Sequence, residues 1–270
     1  MPRVSIIIPT FNRRGKVIQA ISSVFHQSFS DHEIIVVDDG STDGTQSALT
    51  PFGSRIHYLK HTTNRGVSAA RNTGIRKSNA PLIAFLDSDD SWLPEKLAAQ
   101  IAFFEHHAHA VACQTEEIWM RNAHRVNPKK RHRKPSGNIF EPSLRLCLVS
   151  PSAVMLKRSL LEEVGLFDEE FPACEDYDLW LRISCRHPVY LINRHLVVKE
   201  GGHQDQLSRR ITGLDRYRIR ALVKLLKSRE LNEVQITAVI KEIAFKCDIY
   251  GRGCLKRGKT DEGNHYLQLP

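Results

Sequence analysis

Apolar residues in the first hundred positions follow two alternating rhythms. Short unbroken runs have the length and β-branched content of buried strands. They are Val4-Ser5-Ile6-Ile7-Ile8, which Pro9 ends, Glu33-Ile34-Ile35-Val36-Val37, Ile56-His57-Tyr58-Leu59 and Leu82-Ile83-Ala84-Phe85-Leu86. Between them the spacing turns helical, with Val17, Ile18, Ile21, Val24 and Phe25 on one face of 16–27. Residues 67–77 and 94–107 read as further helices, the latter with Pro94 at its start. A short helix capped by Thr42 or Asp43 follows the second strand. Strands alternating with helices predict an α/β fold on a mostly parallel, doubly wound sheet. Right-handed crossovers then gather the loops that follow the strands on one edge.

After Ala110 the alternation loosens. Residues 111–120 and 152–156 read as strands, the second leading into a short helix that ends near Gly165. The basic stretch 121–138, with Pro128, Pro135 and Gly137, reads as a loop. Leu179, Trp180 and Ile183 give 176–186 helical spacing, and 189–192 with 196–198 reads as a hairpin or two edge strands. From Arg209 onward the pattern is helical, through Ile219, Leu222, Val223, Leu225 and Leu226, then Val234, Ile236, Val239, Ile240 and Ile243. These shifts divide the chain into 1–208, with halves 1–109 and 110–208, and a helical C-terminal appendage, 209–270.

The composition is that of an ordinary globular chain, with 270 residues, 41% hydrophobic and 26% charged. No apolar run of membrane-spanning length is present, and the N-terminus lacks the pattern of a secretory leader. Six cysteines without a Cys-x-x-Cys pair read as reduced thiols, so a cytoplasmic location is expected. The net charge of +9 is uneven: fourteen Lys/Arg face five Asp/Glu between Arg209 and Lys259. A second basic cluster runs from Arg121 to Lys134. Such surpluses point to an anionic partner (a phospholipid surface, nucleic acid or a phosphorylated substrate) or to solvated helix faces and a basic loop.

The chemistry lies in four loops, each after a predicted strand. They are Pro9-Thr10-Phe11-Asn12-Arg13, Asp38-Asp39-Gly40-Ser41-Thr42-Asp43-Gly44-Thr45, Asn64 to Gly74, and Asp87-Ser88-Asp89-Asp90. Carboxylates at the end of a strand project into the crevice where α/β sheets bind ligands. Asp87 and Asp89, one residue apart, face the same way in extended chain and repel unless a cation joins them. Hard oxygen ligands suit Mg²⁺ or Mn²⁺, which usually also bind substrate phosphates. Singly, each loop also reads as a turn or a helix cap, Asp90 or Ser91 capping the helix at Pro94.

Together, in this order and at these spacings, the loops resemble those of the family 2 glycosyltransferases, whose GT-A fold binds nucleotide-sugars. The resembling segments are Val4–Arg13, Ile34–Thr45, Asn64–Gly74, Ala84–Pro94 and Glu175–Arg182, within 3–205. The resemblance implies that 1–109 is a nucleotide-binding half and 110–208 an acceptor and catalytic half. It implies that Pro9, Thr10 and Asn12 line the base and ribose pocket and that Asp39 meets the uracil or other base edge. Arg71 would support the nucleotide site, Asp87 would approach the ribose, and Ser88 would also touch the nucleotide-sugar. Asp89 would bind the divalent cation, Mn²⁺ or Mg²⁺, that bridges the diphosphate. Asp176, in Glu175-Asp176-Tyr177-Asp178, matches the catalytic base, and His203 falls where members place a metal- or phosphate-contacting histidine. The wording around His203 departs from the commonest one.

The implied reaction is an inverting transfer from a nucleotide-diphosphate sugar, a UDP-sugar first among them, to a glycan or lipid-linked acceptor. It belongs to polysaccharide or glycolipid biosynthesis. Charge grows on the leaving diphosphate, which a divalent cation stabilises, and the acceptor hydroxyl needs a base opposite it. The basic C-terminal region could add a peripheral contact with the inner membrane face. Its apolar stripes read first as packing on the catalytic domain or a second subunit. One rival, a nucleotidyltransferase, would want a glycine-rich loop after the first strand, and a dehydrogenase Gly-x-Gly-x-x-Gly. The other, a basic binding module, would explain Arg209–Lys259 but not acid-rich loops that repel nucleic acid, so no nucleic-acid partner is expected.

Overall fold

A computed structural model describes residues 1–122, 124–127, 129–202 and 211–269. Its core is a nine-stranded sheet. The first four strands are β1 (Val4–Thr10), β2 (His32–Asp38), β3 (His57–Lys60) and β4 (Leu82–Phe85). They lie in the order β3-β2-β1-β4 and are all parallel. The connections between them carry α1 (Arg14–Phe25), α2 (Thr45–Leu49) and α3 (Val67–Lys77). Every residue of β1 is buried, as a central strand covered on both faces requires. Ile6 and Ile8 join the cluster with Val17, Ile21 and Val24 of α1, whereas Ile7 joins Ile75 of α3 on the other face. Helix α3 lies so close that a Cβ on Gly74 would stand 2.5 Å from Ile7 Cγ2.

Strand β1 does not stop at Pro9 but pairs on to Thr10 opposite Asp38. The Ile7 carbonyl accepts from Leu86 N–H, so the N–H side of position nine faces β4 beyond that strand's end at Phe85. Proline there removes a donor that would have no strand partner.

Beyond β4 the sheet becomes mixed. Next come β5 (Asp90–Trp92), α4 (Lys96–His106), β6 (Ala112–Arg121) and β7 (His124–Val126). They are followed by α5 (Phe140–Arg145), β8 (Val154–Lys157), α6 (Arg158–Val164), α7 (Glu175–Ser184) and β9 (Tyr190–Gly201). Strand β8 is antiparallel to both β4 and β6, β6 runs parallel to β9, and β5 closes the edge antiparallel to β9. The hairpin or two edge strands expected over 189–192 and 196–198 are instead one strand of 12 residues, with its register shifted opposite Thr115, Glu116 and Glu117. The exposed Asn193-Arg194-His195 at these shifts separates the two apolar runs without turning the chain. The expected loop 121–138 holds β7, hairpinned onto β6, and a 3₁₀ turn at Lys130–His132.

The C-terminal region is helical, as expected: α8 (Asp215–Lys227), α9 (Glu233–Lys256) and α10 (Thr260–Gln268). Asn232 and Gln235 form a capping box at the start of α9. Ile219, Leu222, Leu225, Val239, Ile243 and Cys247 form one core with Phe140 and Leu144 of α5 and Tyr177 and Leu181 of α7. Many cations here are spent on local pairs: Lys224 with Asp168 and Asp178, Arg220 with Glu170, Lys246 with Glu242, and Arg252 with Asp248. No described helix is long and apolar enough to cross a membrane.

Candidate active site

The loops after β1 and β2 are tied into one wall. Asn12, at φ 50°, donates its N–H to Ser41 Oγ at 2.9 Å and accepts Thr42 N–H at 2.8 Å. Thr10 accepts Asp39 N–H through its carbonyl at 2.8 Å, while its buried Oγ1 has no partner among the described residues. Pro9 and Thr10 thus sit at the floor of this wall, beside Asp39. Asp38 accepts from Ser41 N–H at 2.7 Å and from the Tyr58 hydroxyl at 2.6 Å.

Asp39 is buried and accepts from Arg65 N–H at 2.9 Å and Gly66 N–H at 2.8 Å, with His61 Nδ1 at 2.7 Å. Its carboxylate orders the loop that opens α3 and keeps acceptor capacity for one further donor. Gly40 allows this closeness: at φ 83° its missing Cβ would stand 2.8 Å from the Thr63 carbonyl carbon.

The second wall is built around buried charge. Arg71, on α3, donates to Asp87 Oδ1 and to Glu175 Oε1, each at 2.7 Å, and lies over the Phe167 ring. One guanidinium therefore joins the loop after β4 to the first residue of α7. Burial opposes the charge on Arg71, but Asp87 and Glu175 outweigh it and raise its pKa. Burial likewise opposes ionisation of Asp87, yet Arg71, Lys199 and Arg13 hold its carboxyl below the usual range. Glu175 is pushed up to about 7, by burial first and then by Asp176 beside it.

Asp176 follows Glu175 in the first turn of α7. Its Oδ1 accepts Tyr177 N–H at 2.8 Å, and Cys147 Sγ reaches its Oδ2 at 3.4 Å. Burial and Asp176 push the Cys147 thiol up, so it stays protonated and donates. Asp178 is turned away into pairs with Arg182 and Lys224, which leaves it no role at this wall.

The acid loop itself separates its members. Asp89 pairs with Arg13 at 2.8 Å, across the cleft from the first loop. Ser88 is buried between the two aspartates. Asp90 is not a helix cap: it lies in β5, accepts from Ser152 Oγ at 2.6 Å and from Glu200 N–H at 3.2 Å. Ser152 Oγ also accepts Asp87 N–H at 3.1 Å. Burial pushes Asp90 well above the usual carboxylate range.

Sequence reasoning missed Lys199 and Glu117. Lys199 stands opposite Asp90 in the β5–β9 pair and donates to Ser150 Oγ at 3.0 Å. Burial opposes its charge, but Glu117, Asp90, Asp87 and Asp176 raise its pKa. Burial opposes ionisation of Glu117, yet Lys199 and Lys134 hold it down to about 2. No local pattern marks these residues, because strand pairing brings them to the acids from far along the chain. His203 lies outside the described residues.

The sheet, with its acid-lined edge joined to the head of α7 through Arg71, is a GT-A fold. The sequence matches Glycosyl transferase family 2 over residues 5–165, and the chain belongs to that family. It is 33% identical over 191 residues to an Escherichia coli protein named UDP-Glc:alpha-D-GlcNAc-diphosphoundecaprenol beta-1,3-glucosyltransferase WfgD, covering 70% of this chain and 73% of that one. It is 34% identical over 203 residues to the uncharacterized glycosyltransferase RC0461 of Rickettsia conorii. That match covers 72% of this chain, which spans about a third (32%) of the relative's length. Among solved structures, S. aureus TarS 1-349 in complex with UDP-GlcNAc shares the fold with a TM-score of 0.75 at 18% identity, covering 92% of this chain and 72% of that one.

Proposed function

We propose that this chain transfers a sugar, with inversion, from a UDP-sugar to a hydroxyl of a glycan or lipid-linked acceptor, as a step of polysaccharide or glycolipid synthesis. The observation that carries the reading is the Arg71 bridge, which holds Asp87 and Glu175 2.7 Å from one guanidinium. It joins the acid loop to the head of α7, and on this reading the donor would lie on one side of that junction and the acceptor on the other. The UDP-Glc donor and diphosphoundecaprenol acceptor in the name of WfgD supply the substrate classes. On this reading 1–109 receives the donor, 110–208 the acceptor, and 209–270 braces α7 from behind.

A divalent cation, Mn²⁺ or Mg²⁺, fits the residues present. No group of three or more metal-ligating side chains exists among the described residues. Such ions, however, usually take one or two carboxylates and complete their shell with substrate phosphates and water. Asp89 would be that carboxylate: it is partly exposed and pairs with Arg13, a cation that a diphosphate can draw away. When bound, the metal would stabilise the charge that grows on the leaving diphosphate. Asp89 would hold it, with His203 the second contact.

The remaining roles fall to the chain's own groups. Pro9, Thr10, Asn12 and Asp39 would cradle base and ribose, the unpartnered Thr10 Oγ1 offering a free hydroxyl. Arg71 would keep Asp87 ionised toward the ribose, and Ser88 would sit beneath the sugar nucleotide. Asp176 would take the proton of the acceptor hydroxyl, with Cys147 and Tyr177 N–H holding its carboxylate in place. Incubation with a panel of UDP-sugars and Mn²⁺ tests the whole. Release of UDP from one donor, slow without acceptor and absent without metal, is expected. Lack of UDP binding with every donor, metal present, would overturn the reading.

A further inference from the structure

The basic stretch after β6 is not absorbed by this mechanism. No Asp or Glu lies between Glu117 and Glu141, while the same span holds Arg121, Arg125, Lys129, Lys130, Arg131, Arg133 and Lys134. The first six are exposed. None of those six forms an ion pair among the described residues. Like charges this dense repel one another, so the chain would gain by splaying into solvent unless something holds it.

Contacts with the sheet hold it. Lys134 is buried and pairs with buried Glu117 at 3.2 Å, donating also to the Thr115 carbonyl at 3.0 Å. His132 packs edge-on against Trp119. The β6–β7 hairpin therefore returns to the sheet at a fixed point, and the cations stand on a rooted arm. Its position relative to the cleft is also set. Arg121 pairs with Gly201 in the β6–β9 ladder, and its side chain lies over Gly202, where an added Cβ would meet its Cγ at 2.9 Å. The same strand β9 carries Lys199 and Glu200, the neighbours of Asp90.

The C-terminal helices offer a contrast. Their surplus is larger on paper, but Lys224, Arg218, Arg220, Lys246 and Arg252 are engaged with carboxylates and the apolar stripe is buried. The arm has cations without a carboxylate partner among the described residues, an exposed Val126 at its hairpin, and no Phe, Tyr or Trp from 120 to 139. Stacking platforms are what single-stranded nucleic acid needs; the arm carries no Phe, Tyr or Trp, and Trp119 at its base is engaged edge-on by His132. A flat anionic surface needs only charge within a Debye length, which the arm supplies.

We infer that the arm from Arg121 to Arg133 docks the enzyme on an anionic phospholipid bilayer, with the mouth of the cleft beside the membrane. This deepens the proposed function by naming the surface that presents a lipid-linked acceptor, and in that respect rests on it. The two can fail separately, because vesicles holding neither donor nor acceptor test only the arm.

Co-sedimentation of the full chain with phosphatidylcholine vesicles containing about a third phosphatidylglycerol is the measurement. Binding is expected at low salt, weakened severely near 1 M salt where the Debye length falls to about 3 Å, and absent on phosphatidylcholine alone. Each cation near the surface strengthens binding about fivefold, so joint Arg125→Gln, Lys129→Gln, Lys130→Gln, Arg131→Gln and Arg133→Gln should weaken it at least ~100-fold. Exchanging Arg and Lys at the same five positions should leave it within about fivefold, because charge and not side-chain identity carries the contact. Circular dichroism and a cooperative thermal melt report that each variant is folded. Unchanged vesicle binding in the Gln variant would overturn the inference. So would an equal loss in a Lys227→Gln, Lys241→Gln, Lys256→Gln variant, or wild-type binding to an RNA homopolymer but not to the vesicles.

Discussion

Asp39 and Asp90 are both buried acids at a sheet edge, and the chain satisfies them in opposite ways. Asp39 is surrounded by donors: two backbone N–H groups and a histidine reach its carboxylate within 2.9 Å. Asp38 beside it is treated alike, by Ser41 N–H and the Tyr58 hydroxyl. The fold itself supplies most of the donors these acids need. Across the cleft, Asp87, Asp90, Glu175 and Asp176 crowd around two cations, Arg71 and Lys199, and burial drives Asp90 and Glu175 toward their neutral forms. The difference separates a wall that is built before any ligand arrives from one whose charge balance a ligand must change. A dipolar network tolerates a visitor without rearranging, whereas a charge-balanced one responds to every added ion.

The strongest test of this contrast is the proposed base. Asp176→Asn should keep UDP and metal binding within about twofold and lower transfer by about 10²–10⁴-fold, since an amide cannot take the hydroxyl proton. Single-turnover kinetics beside calorimetry reads both, and transfer within a few-fold of wild type would move the base to Glu175. Next in size is the shared cation. Arg71→Met leaves buried Glu175 and half-buried Asp87 without their shared partner and should cost about 3–5 kcal/mol in urea unfolding. A loss below about 1 kcal/mol would mean that the bridge is not what joins the two walls.

On the donor wall the effect should be smaller and fall on binding. Asp39→Asn keeps one acceptor oxygen, which can still take Arg65 N–H, but sets an amide donor against Gly66 N–H, a cost of about 1–3 kcal/mol. UDP affinity should drop about tenfold or more while the metal dependence of what remains is unchanged.

The effect farthest from the chemistry lies behind the cleft. Lys96 is fully buried, bonded to Gln100 at 2.6 Å and 3.9 Å from the Trp92 ring centroid, and burial lowers its pKa to about 7. In the unfolded chain it stays charged to its ordinary value of 10.5, so folding releases a proton between the two pH values. Wild-type stability should rise with pH across that window, by up to about 1.4 kcal/mol per unit from this group. Lys96→Met removes the rise, so it should raise the melting temperature more at pH 6 than at pH 9. An equal change at both would show that Lys96 is charged in the fold.

The donor wall was largely legible in the chain, because its strands and helices are continuous and its loops follow them at once. Strands β1 to β4 and helix α3 stand within a residue or two of their expected places. The opposite wall was not, since its partners meet through pairings that no local window contains. Asp90 meets Glu200 across 110 positions, and Arg71 meets Glu175 across 104. Strand β5 is three residues long and begins with an aspartate, which read as a cap until β9 was seen to pair with it. Lys199 was hidden for the same reason, on a strand whose polar middle read as a turn. Asp176 was named from resemblance, whereas the Cys147 contact that holds it comes from a segment whose helix, α5, is too short and too interrupted by Pro142 to show periodicity.

The central claim is that Asp89 brings the cation and Asp176 does not. Calorimetric titration of UDP into the wild type, Asp89→Ala and Asp176→Asn, each with and without Mn²⁺, tests it directly. Wild type and Asp176→Asn should bind UDP much more tightly with Mn²⁺ than without, and Asp89→Ala should show the same weak affinity in both. Metal-enhanced affinity that survives in Asp89→Ala would contradict the account.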